Sequence, residues 1–304
     1  MSFLALFVTL PTQQSAGRMR VWRALRALGS ATLRDGVYLL PDSPAHAQAL
    51  GSIAEDVKSV EGTAAIYCLD GRDEAQGQTL MALFDRQGDY AGLLKAIQAA
   101  NPAAAKAVRA LQREFSALAA IDFFPGEAQR QAEEALVALQ ARASGEPLDG
   151  AGRIRRLAGA DFQGRTWATR HHPWVDRLAS AWLIQRHIDP RARFVWLADP
   201  RLCPPGALGF DFDGAAFTHV EGRVTFEVLA ASFGLADDPA LGRIAAIVHF
   251  LDVGGVPVAE AAGIEAVLAG ARATAANDDQ LLSEACRLFD NLVTHYQQEH
   301  ARDE

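Results

Sequence analysis

The first apolar positions form a continuous run, "FLALFVTL" at residues 3–10, bounded by Pro11. A run of that length closed by a proline predicts a strand buried on both faces. Ser15 stands where it caps a helix through Leu28 that Gly29 ends. "TLRDGVYLLP" then predicts two strand pieces about the turn-forming Asp35 and Gly36, "SPAHAQALGSIAEDVKSV" opens with a Ser-Pro helix start, and "TAAIYCLD" predicts a further strand. The order β-α-β-β-α-β is that of a ferredoxin-like unit, here assigned to residues 1–72.

Beyond it, residues 73–145 are rich in Ala, Leu, Gln and Glu, with Pro102 and Pro125 placed to break or start helices. The pattern predicts a helical segment of three or four helices. "ASGEPLDGAG" marks a linker, assigned to 146–160. From 161 to 304 the pattern predicts a short strand at "RTWATR", an amphipathic helix over "WVDRLASAWLIQRHI", a second strand at "RFVWLAD" and a hairpin in "AAFTHVEGRVTF" turning at Glu221-Gly222. Thr225 is placed to cap a helix containing Glu227, and helices follow over "DPALGRIAAIVHFLDV" and "DDQLLSEACRLFDNLVTHYQQE". The fold class is α+β: an N-terminal ferredoxin-like unit, a helical middle segment and a C-terminal domain that is mixed but mainly helical.

Composition narrows the setting. A length of 304 residues, 50% of them hydrophobic, suits two domains with real cores. Cys68, Cys203 and Cys286 form no CxxC pair, which argues against a disulfide framework or a thiolate zinc site and for a reducing cytoplasm. The N-terminal apolar run has no basic flank and is too short for a membrane span. The net charge of −8 discourages a nucleic-acid reading, yet the charge is uneven along the chain. Residues 151–201 hold ten Arg against four Asp and no Glu, whereas 202–304 hold five Arg, no Lys and sixteen acidic residues. Such blocks mean either an anion site beside a cation site or surfaces that pair within the fold.

Three groups can carry chemistry. His249 and Asp252, three apart on one helix face, suit a divalent transition metal such as Zn, Fe or Mn, and His219 with Glu227 can complete a His₂-carboxylate₂ set. The helix dipole alone also favours Glu in a first turn and His near a C-terminus. Arg177 falls in a first helical turn, where free N–H groups favour an anion; Arg186 lies about 13 Å further along the same helix. Both can equally be paired with Asp176 or Asp189. In the first helix Arg20, Arg23 and Arg26 cluster opposite Val21, Leu25 and Leu28, with Arg18 nearer the apolar edge and Arg34 in the adjacent turn. That stripe either lies along nucleic-acid phosphates or is a solvated face.

Taken together, "PTQQSAGRMRVWRALRALGSATLRDGVYLLP", "TWATRHHPWVDRLASAWLIQRHIDPRARFVWL", "FTHVEGRVTFEVL" and "IVHFLD" resemble, in order and spacing, the ChrB-type chromate-resistance family over nearly the whole chain. The resemblance implies a cytoplasmic, chromate-responsive transcriptional regulator of an efflux operon. It implies an N-terminal DNA-binding part, for which the Arg18, Arg20, Arg23 and Arg26 face read from the helix spacing is the expected contact, a homodimer supplying two such faces to offset the overall acidity. It points to Arg177, Arg186 and His219 as chromate-sensing positions and adds weight to His219, Glu227, His249 and Asp252 as one metal set. "RHHPW" departs from the family pattern, where further basic residues are expected, and leaves His171 and His172 as possible extra ligands. The alternative is a redox-active metalloenzyme, a metal-dependent oxidoreductase acting on chromium or reactive oxygen species with the same ligands.

Overall fold

In a computed structural model the chain divides into two compact units, Met1–Leu136 and Val137–Glu304. Residues 1–11, 15–144 and 154–303 are described, with positions 15, 16 and 303 described by backbone alone. The capping role expected of Ser15 and the first half of the linker expected at 146–160 lie outside the described residues. Within the rest of that linker, the Leu157 amide donates to the Ser232 carbonyl at 2.8 Å.

The first unit carries strands β1 (Ser2–Thr9), β2 (Ala31–Arg34), β3 (Val37–Pro41) and β4 (Thr63–Asp70). They lie in the order β2-β3-β1-β4, every neighbouring pair antiparallel, with helices α1 (Ser15–Ala27) and α2 (Pro44–Ser59) in the two crossovers. This is the ferredoxin-like arrangement that the alternation predicts. Central β1 explains its own unbroken apolar run. Leu4 and Leu6 face Val21 and Leu25 of α1 and Leu50, Ile53 and Val57 of α2, while Phe3 and Ala5 pack on the other side with Leu80 and Phe84. The Ser-Pro start of α2 is real, Ser43 Oγ accepting the His46 amide at 3.1 Å with Pro44 behind it. At the β2–β3 turn Gly36 has φ +74°, and a Cβ there would stand 2.6 Å from the Val8 carbonyl oxygen, so a side chain would disturb both turn and strand. Three helices follow, α3 (Glu74–Ala82), α4 (Gln87–Ala99) and α5 (Ala105–Ala119), and α6 (Glu127–Ser144) begins in this unit.

The second unit is built on a parallel three-stranded sheet ordered β6-β5-β7, with β5 (Thr166–Arg170), β6 (Arg193–Leu197) and the two-residue β7 (Leu208–Gly209). Between β5 and β6 runs α7 (Val175–Leu183), of which every residue but Arg177 is buried. The amphipathic stretch expected to be one helix widens after Leu183 into a π turn, Ile184–Ile188. Asp189 closes it. Burial opposes ionisation of that carboxylate, yet it accepts the Gly164, Arg165 and Arg191 amides and the Trp167 indole, which hold it below the usual range. Around α7 pack α8 (Thr225–Ser232), α9 (Pro239–Val253) and α11 (Asp278–Asp303), while α10 (Ala261–Thr274) packs on α9 and α11. Trp182 is the core anchor, its ring 6.4 Å from that of Phe226 and 5.4 Å from that of Phe289.

Two local expectations are corrected. The hairpin over 215–226 is reduced to an isolated bridge between Val220 and Arg223, and Phe217 bridges in parallel to Phe210 instead. Thr225 does not cap α8; it is the first residue of that helix, and Val224 holds the cap position. The reason for both lies in what α7 presents to this segment.

Candidate functional site

Asp176, in the first turn of α7, is 1% exposed. Its Oδ1 accepts the Phe226 amide at 2.9 Å and the Ser180 hydroxyl at 3.3 Å. Its Oδ2 accepts the Thr225 amide at 2.9 Å and stands 3.2 Å from His219 Nε2. A carboxylate from one helix therefore satisfies the free amides that begin another, the task a capping side chain next to the helix in sequence usually performs. This cross-cap pulls residues 219–226 onto α7, so the segment forms a helix start rather than a hairpin arm.

His219 Nε2 also stands 3.5 Å from Asp211 Oδ1 and 3.5 Å from Asp252 Oδ2. One imidazole nitrogen is thus ringed by carboxylates from α7, the loop after β7 and the last turn of α9. Asp211 adopts a left-handed backbone, φ +55°, a conformation in which aspartate is among the better-tolerated residues. Its Oδ2 accepts Arg177 Nε at 2.8 Å, its Oδ1 accepts the Thr225 hydroxyl at 3.2 Å, and its carbonyl accepts Arg170 Nη2 at 3.2 Å.

The electrostatics follow from this crowding. Hydrogen bonds to Asp176 and Asp211 push His219 up to about 10, so it is imidazolium at neutral pH. Burial works to raise Asp211, but His219 and Arg177 keep it below its ordinary range. At Asp252 the balance falls the other way. Burial first, then the Asp176 and Asp211 charges, push it up to about 6 against a smaller pull from His219 and Arg177.

The residues singled out in the sequence fall into five places. His219, Asp252 and Arg177 meet in this cluster. Glu227 and His249 pair with each other, Nδ1 to Oε2 at 2.9 Å, and the same Glu227 oxygen accepts the Val224 amide at 2.9 Å. Arg186, carried on the π turn, grips Asp290 with Nε and Nη2 at 2.7–3.2 Å, beside the Trp182 indole, which donates to Asp290 at 2.8 Å. His171 and His172 turn their rings toward each other, centroids 4.0 Å apart. In the other unit Arg18, Arg20, Arg23 and Arg26 are all exposed on α1, and the Arg26 guanidinium lies over the exposed Trp22 ring at 5.2 Å.

Sequence reasoning left out Asp176 and Asp211 as site members. Among the described residues, their ligand atoms and that of His219 lie within 4.8 Å of one another. Two ligands of a first-row cation, each about 2.1 Å from it, stand about 3.0–3.4 Å apart, close to the spacings around His219 Nε2. The chemistry of the donor set, one imidazole with hard oxygens, suits such a cation in place of the Nε2 proton.

Two family models match the chain: the N-terminal part of Protein ChrB over residues 18–118 and the ChrB C-terminal domain over 167–296, the second containing the whole His219 cluster. The chain belongs to the ChrB family. It is similar to Protein ChrB of Cupriavidus metallidurans, with 47% identity over 308 residues that cover 97% of this chain and 95% of that protein. No solved structure matches it.

Proposed function

We propose that this chain is a chromate-responsive transcriptional regulator of a chromate-resistance efflux operon, its C-terminal unit sensing the oxyanion and its N-terminal unit binding operator DNA as a cytoplasmic homodimer. ChrB membership supports the coarser statement, a chromate-resistance-related protein. The observation that carries the sensing role is the Arg177–Asp211–His219 relay. Two cations, a guanidinium and an imidazolium, are here neutralised by a carboxylate on a loop whose backbone already sits in a sparsely populated region. An incoming dianion competes with Asp211 for both. Releasing Asp211 frees its loop from the Thr225 hydroxyl at the start of α8, while Asp176 keeps the Thr225 and Phe226 amides.

A divalent Zn, Fe or Mn ion would be held by His219 with Asp211, Asp252 and Asp176, while Glu227 and His249 brace α8 against α9. When bound, the ion would supply positive charge beside Arg177. Arg186, tied to Asp290, acts through the π turn rather than on the same oxyanion. On α1, the exposed Arg18, Arg20, Arg23 and Arg26 would lie along DNA phosphates. The deciding experiment is release of a promoter fragment by chromate and by sulfate, for the unaltered chain and for Arg177→Lys. Release by chromate but not by sulfate, weakened in Arg177→Lys, is expected. Equal release by sulfate, or a normal response of the Lys variant, would remove the sensing role. Steady chromate turnover by the metal-loaded chain would favour the oxidoreductase reading.

A further inference from the structure

The four-stranded sheet of the first unit has two edges, and they are built differently. At one edge β2 is four residues long, shifts register between Thr32 and Arg34, and carries the exposed Arg34. A short strand, an irregularity and a charged side chain are the usual means by which a protein keeps another strand from joining a sheet. At the other edge β4 has a different character. It pairs with β1 without a register shift, from Ser2↔Asp70 through Thr9↔Thr63. "TAAIYCLD" contains no proline, glycine, lysine or arginine, and its one charge is the terminal Asp70.

An edge strand turns half of its amides and carbonyls away from the sheet. Among the described residues, the backbone of Thr63–Asp70 hydrogen-bonds to β1 alone, so the outward groups of β4 are open. Beside this edge lies apolar surface. Phe7 and Tyr67 stand on the sheet face turned away from α1 and α2, 41% and 59% exposed, with their rings edge to face at 5.5 Å.

We infer that β4 is the interface between two copies of this chain: it pairs antiparallel with β4 of the second copy and joins the two sheets into one. The pairing rests on the homodimer reading above and gives it a surface. A two-fold axis perpendicular to the sheet lays an edge strand antiparallel on its own copy, in the same sense as every strand pair already present. Directly opposed residues must share a face, so overlap of the whole strand puts the axis at Ile66 or Tyr67. Either choice brings both Tyr67 side chains to one face beside the seam. The same axis keeps each face of the sheet on its own side. Both copies of α1, and with them both sets of exposed arginines, therefore stand on one side of the joined sheet. A foreign strand added to β4 would satisfy its backbone equally well but would bring no second α1, which is why the second copy is the occupant assigned.

The test is sedimentation of the full chain over a range of concentrations, together with hydrogen exchange of its backbone amides. The unaltered chain is expected to dimerise, with the outward amides of Thr63–Asp70 exchanging more slowly in the dimer and those of β2 unchanged. Tyr67→Lys should weaken the dimer by about tenfold or more, since each substitution acts twice near the axis and sets like charges against each other. Leu33→Lys, the same change at an exposed apolar position on β2, should leave the dimer as tight as the parent. If Tyr67→Lys fails to fold, the exchange measurement on the unaltered chain still decides. A dimer as tight in Tyr67→Lys as in the parent, one weakened equally by Leu33→Lys, or one formed without slowing of β4 exchange would overturn this surface and leave the homodimer reading standing. A chain that stays monomeric throughout would overturn both and leave the edge to a foreign strand.

Discussion

The arginines of α1 and the His219 cluster are two charged regions that hold their charge in opposite ways. On α1 the Arg18, Arg20, Arg23 and Arg26 side chains are exposed, and the Arg26 guanidinium lies over the face of Trp22. In the cluster the charges alternate in sign, and Asp176, Asp211 and His219 are each held by several partners, down to a carboxylate that is 1% exposed. Exposed charge contributes little to stability whether kept or removed; its effects are long-ranged and salt-dependent. Buried, mutually satisfied charge is the reverse, since removing one member strands the others. The first arrangement suits attraction to a polyanion, the second discrimination of one ion.

The sharpest break of that contrast is Asp176→Ala. It leaves His219 without its closest partner and the Thr225 and Phe226 amides unsatisfied, so unfolding in denaturant should show a loss of about 3–5 kcal/mol. An effect below about 1 kcal/mol would mean that the cross-cap is dispensable. On α1 the paired change Arg20→Glu and Arg23→Glu should alter stability by less than about 0.5 kcal/mol. Promoter affinity, measured by fluorescence anisotropy across a salt series, should fall, and its salt slope should flatten by roughly 0.9 for each phosphate no longer neutralised.

A smaller effect is expected at Asp252, with a definite sign. Its folded-state value is raised to about 6 from 3.8, so at pH 7 the native chain carries a charge that burial disfavours. Asp252→Asn should therefore stabilise the protein above about pH 6, by on the order of 2 kcal/mol after allowing for partial exposure. The gain should shrink as pH falls and vanish below about 4, where the carboxyl is protonated in both folded and unfolded chains. Thermal unfolding at several pH values reads this directly, and a gain that persists at about pH 3 would assign it to packing instead. Within the second unit the smallest effect is expected for Glu227→Gln, a loss of about 0.5–1 kcal/mol in the same unfolding measurement, since the amide oxygen can still accept from Val224.

The ferredoxin-like unit was legible because its signals are local: a proline after β1, a Ser-Pro start at α2, a strand of "TAAIYCLD" matching β4 residue for residue. The cluster was legible only in part. Spacing on α9 put His249 and Asp252 on neighbouring positions, and the structure sends one to Glu227 and the other to His219. The carboxylates nearest to His219 come from 43 and 8 residues away, and no periodicity reports such a meeting. Asp211 reaches it through a left-handed residue in "GFDFDG", and Asp176 through a buried first turn where sequence alone suggests a solvated ion pair. The hairpin does not form for the same reason: its turn chemistry is sound, but a distant carboxylate competes for the amides at its far end.

The π turn at Ile184–Ile188 works as a vernier. One residue more than an α-helical turn requires is stored there, so every residue after Leu183 is advanced by about 100° around the axis relative to an unbroken helix. Deleting a single residue from the turn would swing Arg186 off Asp290 and His187 off the Trp182 ring. The same turn seats Ile184 and Ile188 in the core and delivers buried Asp189 to the Gly164 and Arg165 amides, so the extra residue sets the aim of the guanidinium and the seating of the core together.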